Sequence, residues 1–233
     1  MSLLLHIDTS IEYASVCISK DESLVGISEN KNQKDHAAWI HPAIATLIKD
    51  YGFTLQQLDA IAVSNGPGSY TGLRVGLATG KGLCYALNIP LITVSTLEVM
   101  VYSAKRATID SRLNTNDFLF CPMIDARRME VFTGLYDKDL NIILQPHARV
   151  IDEKSFGKEL EKNKILFFGN GAKKSEAIIR HSNALFETIE HNASFMIPLA
   201  ENKMRAKDFA DLAYTEPFYI KDFHIVQQKN KSN

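Results

Sequence analysis

Two aspartates at the ends of predicted strands are the side chains best suited to chemistry in this sequence. The first, Asp8, closes an apolar run that begins at Leu3 and is followed by the hydroxyls of Thr9 and Ser10. A carboxylate beside two hydroxyls can hold a phosphate or a hydrated Mg²⁺ ion. The same groups can instead satisfy the backbone amides of a tight turn, which is the plainer interpretation.

The second aspartate, Asp125, ends a later strand and is followed by Ala126 and two arginines. These side chains would obstruct the close backbone approach to phosphates that glycines allow, although Arg127 could contact an anion or a carboxylate. Gly169 and Gly171 would lie near an adenine if one bound, but a G-x-G turn after a strand is as often a plain helix entry. Because only the first of the two aspartate turns has groups suited to a phosphate, the sequence favours structural turns and predicts at most vestigial nucleotide contacts here.

Metal ligands and activated nucleophiles are not indicated by the sequence. The seven histidines include no pair at i,i+3 or i,i+4, and His36 and His41 would diverge around a helix. Cys17, Cys84 and Cys121 are far apart in apolar runs, as is typical of buried thiols in a reducing compartment. No G-x-S-x-G elbow occurs. The sequence therefore predicts no intrinsic metal and no catalytic serine or cysteine.

The most distinctive stretch, Asn65–Leu87, reads N-G-P-G-S-Y-T-G-L-R-V-G-L-A-T-G-K-G-L-C-Y-A-L. Its Gly-Pro-Gly turn lacks the Lys-Ser/Thr signature of a phosphate-binding loop and predicts tight packing at a helix entry. In the helix that follows, Gly72, Gly76 and Gly80 recur every fourth residue and line one face. Each glycine costs about 1 kcal/mol relative to alanine, so we expect another backbone to pack very close to this face.

Two predicted helices carry more apolar surface than one sheet can cover. The glycine helix is apolar nearly all round, and the helix predicted for residues 35–51 has Trp39 and Ala43 outside its main apolar stripe. Pro42 should kink this helix or mark a late start. The excess predicts that both helices pack against a second chain. The predicted contact residues are Trp39, Ile40, Ala43, Ile44, Leu47, Gly72, Leu73, Gly76, Leu77, Gly80 and Leu83.

A recurring order of elements indicates two lobes. Strands followed by alternating helices and strands are predicted in residues 1–107, and a second three-strand unit with its own terminal aspartate opens residues 108–226. Within residues 1–107, Thr54–Gln57 matches the capping box of a very short helix. The polar end, residues 227–233, is predicted to be a disordered tail. The chain is therefore predicted to be α/β, with two mixed sheets flanked by helices.

Overall charge and hydropathy exclude some classes of function. The formal net charge of −1 gives no global basic field, which argues against autonomous binding of tRNA or DNA. The lysines of Lys203–Lys207 could assist a complex, although a solvated helix face is the simpler interpretation. No segment reaches the roughly 18 apolar residues of a membrane span, so no membrane association is predicted and a cytoplasmic location is expected.

Several motifs together resemble the TsaB family of the actin-like superfamily. They are D-T-S at 8–10, N-G-P-G-S-Y-T-G-L-R-V-G from residue 65, V-S-T-L-E at 94–98, I-D-A-R-R-M-E-V-F at 124–132, G-N-G-A at 169–172 and E-P-F-Y-I-K at 216–221. The glycine stretch and I-D-A-R-R are specific, whereas D-T-S or G-N-G-A alone would be weak. The match is close from Leu3 to about Tyr136 and scattered beyond.

This resemblance implies a duplicated actin-like (ASKHA, ribonuclease H-like) fold and a non-catalytic scaffold role. The implied process is formation of threonylcarbamoyladenosine (t6A) at position 37 of tRNAs reading codons that begin with A. The implied partners are a catalytic TsaD-like paralogue, contacted through a bundle of the two helices from each chain, and a TsaE-like small ATPase. The chain alone would form a homodimer, and tRNA would bind only through the complex.

The resemblance also bears on cofactors and on the alternative function. It implies no intrinsic cofactor, with ATP or ADP and Mg²⁺ expected at most at the interface of the complex. The H-x-x-x-H metal pair of TsaD is replaced by Thr96 and Met100 in this sequence, and neither side chain substitutes for an imidazole. The alternative is an enzyme active on its own, either an ATP-dependent transferase or kinase of this fold, suggested by Asp8 and Asp125, or a metallopeptidase.

Overall fold

Two five-stranded mixed sheets form the framework of the chain. The computed structural model describes residues 2–32, 35–110 and 118–220, so the predicted tail at 227–233 lies outside the described residues. The strands are β1 Leu3–Asp8, β2 Ala14–Lys20, β3 Ser23–Asn30, β4 Ala60–Ser64, β5 Leu91–Val94, β6 Phe118–Asp125, β7 Glu130–Tyr136, β8 Ile142–Val150, β9 Lys164–Phe168 and β10 Ala184–Glu187.

The two sheets repeat one topology. The first has the order β3-β2-β1-β4-β5, and the second has the order β8-β7-β6-β9-β10. In both, the first strand of the unit is central, pairs antiparallel with the second and pairs parallel with the fourth. Asp8 and Asp125 therefore end equivalent central strands. This confirms the predicted α/β fold and its actin-like duplication.

Six α-helices and two short 3-10 helices connect and cover the sheets within the described residues. Pro42 lies inside α1, which begins before it, so the proline does not mark a late start. The short helix predicted by the Thr54 capping box is present as a 3-10 turn. The helices are α1 His36–Asp50, α2 Tyr70–Leu87, α3 Thr96–Asp110, α4 Gly157–Leu160, α5 Ala172–Glu176 and α6 Ile197–Ala206, with 3-10 turns at Leu55–Gln57 and Ala193–Met196.

The first sheet is buried on both faces. Alternation along β1 sends Leu3, Leu5 and Ile7 toward a core shared with α1 and α2, while Leu4 faces the opposite side. On that opposite side the covering residues come from α3 and from the end of the chain. They include Val99, Ala193, Met196, Ile197 and Ala200.

Helix α6 thus follows the strands of the second sheet in sequence but packs on the first sheet. Residues 108–226 were predicted to be the second lobe, and that division stays a prediction, but α6 packs on the first sheet. Past α6, Ala210 forms an antiparallel bridge with Leu91 at the free edge of β5. No helix among the described residues is long and apolar enough to cross a bilayer.

Candidate functional site

Asp8 lies in a closed network of hydrogen bonds beneath the β1–β2 turn. Its Oδ1 accepts from the Ser10 backbone N–H at 3.0 Å, from Ser10 Oγ at 2.7 Å and from Ser64 Oγ at 2.7 Å. Its Oδ2 faces His191 Nε2 at 3.4 Å, and both side chains are almost fully buried. No carboxylate oxygen of Asp8 is therefore turned toward solvent.

The charge of Asp8 is stabilised inside the protein. Burial alone raises the pKa of this carboxyl, but hydrogen bonding and charge attraction from His191, together with the hydroxyls of Ser64 and Ser10, outweigh burial and lower the pKa to about 2. Asp8 is thus an ionised carboxylate whose partners all belong to this chain. A phosphate or a hydrated metal ion would have to displace His191 to reach it.

Thr9 and Ser10 hold the start of α2, the helix of the glycine stretch, in place. Thr9 Oγ1 donates to the carbonyl of Gly72 at 2.7 Å, and the carbonyl of Ser10 accepts from the Ser69 N–H at 2.7 Å. The D-T-S segment therefore ties the end of β1 to the start of α2. These contacts support the interpretation of D-T-S as a structural turn.

Asp125 is held in a different way, at the surface. Its Oδ1 accepts from the Arg127 N–H at 2.8 Å and from Lys174 Nζ at 2.5 Å, and its own N–H donates to Asn170 Oδ1 at 2.8 Å. Partial burial raises the pKa of Asp125, but the bond from Lys174 prevails and the net pKa is lowered. Arg127 is exposed with a positive φ of 70°, so its side chain remains on the surface of the loop.

Lys174 is a site residue that the sequence did not reveal. Besides Asp125, its ammonium donates to the carbonyls of Arg128 at 2.8 Å and Glu130 at 2.7 Å, which closes the loop between β6 and β7. The adjacent Lys173 has the same chemistry, so only the helix register of α5 distinguishes them. His191 was missed for a related reason: it reaches Asp8 from the far end of the chain.

The G-N-G-A turn packs against protein rather than opening a ligand cradle. A Cβ on Gly169, where φ is +95°, would lie 2.4 Å from Met100 Cε and 2.6 Å from the Met123 carbonyl. A Cβ on Gly171 would lie 2.9 Å from Val131 Cγ1. The small residues are needed because β6, β7 and α3 approach closely. The helix-entry interpretation therefore accounts for both glycines.

Two cavities lie between the lobes. The larger, about 580 Å³, is bordered by the two aspartate loops and the start of α2, including Ser10, Gly68, Tyr70, Thr71, Asp125 and Arg127. The second, about 390 Å³, has apolar walls and an excess of carboxylates, including Glu12, Glu176, Glu187 and Glu190 against Lys173. Asp8 borders neither cavity, and the acidic lining of the second disfavours a polyphosphate.

Thr96 and Met100, which the family resemblance sets in place of a histidine pair, lie in the core. Thr96 is fully buried and Met100 is 2% exposed, with Met100 packed against the β9–α5 turn. Within the described parts of the chain, no group of three or more His, Cys, Asp or Glu side chains is placed to hold a metal ion. The residues found here do not provide the donor set of a metal centre.

The face of α2 that carries the glycines packs on the chain's own sheet. A Cβ on Gly72 would lie 2.0 Å from the Thr9 carbonyl, and one on Gly76 would lie 2.3 Å from Thr9 Oγ1. The close backbone predicted from the glycine spacing is therefore that of Thr9, directly after β1, whereas Gly80 faces side chains of β4 and β5. The predicted partner-contact residues that are buried in this chain are Ile40, Ala43, Ile44, Leu47, Gly72, Leu73, Gly76, Leu77 and Gly80, and their contact with a partner stays a prediction.

A second face of α2 is covered by residues 210–219, here named the strap. Lys81 Nζ donates to the carbonyls of Ala213 at 3.4 Å and Thr215 at 3.1 Å, and Arg74 Nε donates to Tyr219 Oη at 2.9 Å. Arg74 also lies over the ring of Tyr70 at 4.1 Å. Both charged side chains of α2 are thus engaged by the same chain.

The third face of α2, here named the open face, borders α1 and is not covered by any residue that the structure describes. Its exposed residues include Ala78, Gly82 and Tyr85, and no atom lies within 4 Å of a Cβ built on Gly82. Trp39 and Leu83, both half-buried, flank it. The groove between the helices has a volume of about 370 Å³ and is lined without charged groups by Ala37, His41, Val75, Ala78, Thr79, Gly82 and Leu83.

Comparisons with known proteins agree with this architecture. A family model described as TsaD, tRNA N6-adenosine threonylcarbamoyltransferase, matches residues 13–223. The tRNA threonylcarbamoyladenosine biosynthesis protein TsaB of Bacillus subtilis is 30% identical over 177 residues, covering 72% of this chain and 70% of that protein. The protein of the same name from Escherichia coli is 26% identical over 230 residues, covering 94% of each chain.

A solved structure matches over almost the whole length. It is a Pseudomonas aeruginosa protein described as uncharacterized with similarity to peptidase YEAZ, and it superposes with a TM-score of 0.79 at 25% sequence identity. The match covers 95% of this chain and 100% of that one. The two-lobed arrangement described above is therefore shared by an experimentally determined structure.

Proposed function

Since the chain belongs to the TsaB family of tRNA threonylcarbamoyladenosine biosynthesis proteins, we propose that it is a non-catalytic subunit that pairs with a catalytic TsaD-like relative. The paired relative carries out the transfer of the threonylcarbamoyl group to adenosine 37 of tRNA. This chain supplies a docking face and stabilises the active arrangement of its partner.

The observation that carries this proposal is the open face of α2 beside α1. It combines exposed small residues, an uncharged groove and an aromatic side chain, Tyr85, that is 84% exposed. A face of this kind on an isolated protein favours association, because covering apolar area removes it from water. A relative with the same fold carries an equivalent helix pair, so the two pairs can form a four-helix contact with shared geometry.

A non-catalytic role is supported by the state of Asp8. Its carboxylate is surrounded by Ser10, Ser64 and His191, whereas a catalytic aspartate must reach its substrate or its metal ion. Thr96 and Met100, at the positions of the TsaD histidines, are core residues. We therefore expect ATP or ADP and Mg²⁺ at the interface of the complex rather than on this chain alone.

The remaining partners follow from the proposed complex. A TsaE-like ATPase would join the pair, and tRNA would bind through the catalytic relative, in agreement with the net charge of −1. Because the proposed substrate of the complex is tRNA, we expect the chain to act in the cytoplasm. Without its relative, the chain would cover the open face with a second copy of itself.

Gly82→Arg tests the docking face directly. The change places a long charged side chain in the groove, where no neighbouring atom obstructs folding, and we expect association to weaken at least about 100-fold, a loss comparable to that of a strong interface hot spot. Calorimetric titration with the purified catalytic relative measures the loss. Gly157→Arg is the matched control, because it makes the same change at an open position of the other lobe.

Failure of the proposal has a clear signature. If Gly82→Arg folds normally by circular dichroism and binds the catalytic relative with unchanged affinity, the open face is not the docking face. Turnover of ATP or of a peptide by the isolated wild-type chain, lost in a folded Asp8→Asn variant, would favour the alternative of an enzyme active on its own.

A further inference from the structure

We propose that the docking face has a third component, the strap, and that Tyr85 on α2 and Tyr214 on the strap are its two main anchors for the catalytic relative. The inference rests on the proposed function and specifies which side chains carry the binding free energy. It adds a non-helical element to a contact so far described by two helices. The partner it requires has an uncharged apolar surface extending beyond its own helix pair.

The exposure of the two tyrosines sets them apart. Tyr85 is 84% exposed and Tyr214 is 83% exposed, and no other large hydrophobic side chain among the described residues exceeds the 65% exposure of Val150. Aromatic rings kept in water contribute little to folding, whereas tyrosine is among the side chains that dominate binding free energies at interfaces. Their exposure therefore points to a contact made outside the monomer.

Lys81 places the two rings on the same part of the surface. Tyr85 follows Lys81 by one helical turn, so both project from the same side of α2. The ammonium of Lys81 donates to the carbonyls of Ala213 and Thr215, which flank Tyr214 in the strap. The backbone at Tyr214 is consequently held beside α2, at the helical turn that leads to Tyr85.

The strap presents Tyr214 from a fixed backbone. Asp211 Oδ1 accepts from the N–H groups of Ala213 at 2.7 Å and Tyr214 at 3.0 Å, and the Thr215 N–H donates to the Asp211 carbonyl at 2.9 Å. Further along, the Phe218 N–H donates to a carbonyl of the glycine turn at 2.7 Å. Little backbone freedom remains to be lost on binding, which favours this ring as an anchor.

The chemistry of this surface selects an apolar protein partner. Tyr85 adjoins Ala78 and Gly82, so the anchor surface is continuous with the uncharged groove. The two cations of α2, Arg74 and Lys81, are already bonded to the strap, so among the described residues of this helix no free positive charge faces a phosphate backbone. A family relative carrying an apolar helix pair fits this surface, and a nucleic acid does not.

Serine substitution in the full-length chain tests the anchors. Tyr85→Ser and Tyr214→Ser should each weaken association with the purified catalytic relative about ten-fold or more, as expected for interface hot spots. Tyr214→Phe should retain wild-type affinity, because the ring rather than the hydroxyl makes the contact. Val150→Ser is the matched control, since it removes an exposed apolar side chain from the other lobe. Circular dichroism and thermal unfolding establish that each variant folds.

The outcomes separate this inference from the proposed function. Loss of binding in Gly82→Arg together with unchanged affinity in both serine variants would overturn the anchors and leave the proposed function standing. Loss confined to Tyr85→Ser would overturn the role of the strap. Unchanged affinity in Gly82→Arg would overturn both proposals. Ten-fold losses in both serine variants, with Val150→Ser unaffected, would support the three-part docking face.

Discussion

A buried carboxylate destabilises a fold unless hydrogen bonds and opposite charge replace its water shell. At Asp8 this replacement comes from the same chain, through the hydroxyls of two serines at Oδ1 and the His191 ring beside Oδ2. A residue type and position typical of phosphate chemistry therefore serves to connect β1 with β4 and with the segment before α6. The sequence identified the aspartate, but its partners are distant in the chain and were found only through the fold.

Asp8→Asn tests the stability that this carboxylate contributes. The folded pKa of about 2 lies below the ordinary value of 3.8, so the charge stabilises the fold above pH 4, and this contribution is lost as the pH falls through about 2. A depression of this size corresponds to about 2 kcal/mol at neutral pH. Urea unfolding at pH 7 and pH 2 should show a deficit in Asp8→Asn at pH 7 that largely disappears at pH 2.

The exposed Asp139 offers the matched control for this change. Asp139→Asn should leave the unfolding free energy within about 0.5 kcal/mol of wild type at both pH values, as usual for a surface substitution. A deficit in Asp8→Asn that stays constant from pH 7 to pH 2 would contradict the account, because it would show that the lost stability does not depend on ionisation.

His6 predicts a second pH dependence in a different range. The ring is fully buried beside Ser19 Oγ at 2.8 Å, and burial lowers its pKa from 6.5 to about 3. The unfolded chain binds a proton near pH 6.5 that the folded chain does not bind until about pH 3. Stability is therefore full above about pH 6.5 and falls by about 1.4 kcal/mol per pH unit below it from this group alone.

His6→Asn removes that proton linkage. The plot of unfolding free energy against pH should become flatter between pH 6 and pH 4 by about 1.4 kcal/mol per unit, whatever the cost of the substitution at pH 7. His147→Asn, at a half-buried histidine of the other lobe, makes the same change as a matched control. An unchanged slope in His6→Asn would show that the buried ring is protonated in the folded state.

At the scale of the element, α2 shows what a helical pattern determines and what it leaves open. The four-residue spacing of the glycines correctly predicted a close backbone. That pattern does not contain the identity of the neighbour. Gly72 and Gly76 meet Thr9 and the cations meet the strap, because strand order and the path of the chain after α6 decide which surfaces are adjacent.

Gly72→Ala and Gly82→Ala make the same substitution at a crowded and at an open position of α2. At Gly72 the added Cβ would meet the Thr9 carbonyl, so overpacking should destabilise the fold by about 3 kcal/mol. At Gly82 the space is open, and the higher helix propensity of alanine should stabilise the fold by about 0.5–1 kcal/mol. Urea unfolding measures both. Equal effects at the two positions would contradict the assignment of the glycine face to the core.

At the scale of the whole molecule, local sequence patterns predicted the helices and strands better than they predicted which of these elements pack together. The central strands, the two apolar helices and the Thr54 capping box follow from neighbouring residues, and they were predicted correctly. The packing of α6 on the first sheet joins residues near opposite ends of the chain. Hydrophobic periodicity shows that α6 has a buried face but not which sheet covers it.

The position of α6 predicts that the two lobes unfold together. Met196, at the start of α6, is fully buried against the first sheet, so Met196→Ala removes core contacts from a lobe whose strands all precede residue 95. A loss of about 3 kcal/mol in the free energy of unfolding is expected for this change.

The single tryptophan, Trp39, packs on the same sheet and reports on that lobe by fluorescence, while far-ultraviolet circular dichroism reports on both lobes. In urea, the two signals should change at one midpoint in the wild type and shift together in Met196→Ala. If Trp39 kept its wild-type midpoint while circular dichroism moved, α6 would be stabilising the second lobe alone, and the return of the chain end would not hold the molecule together.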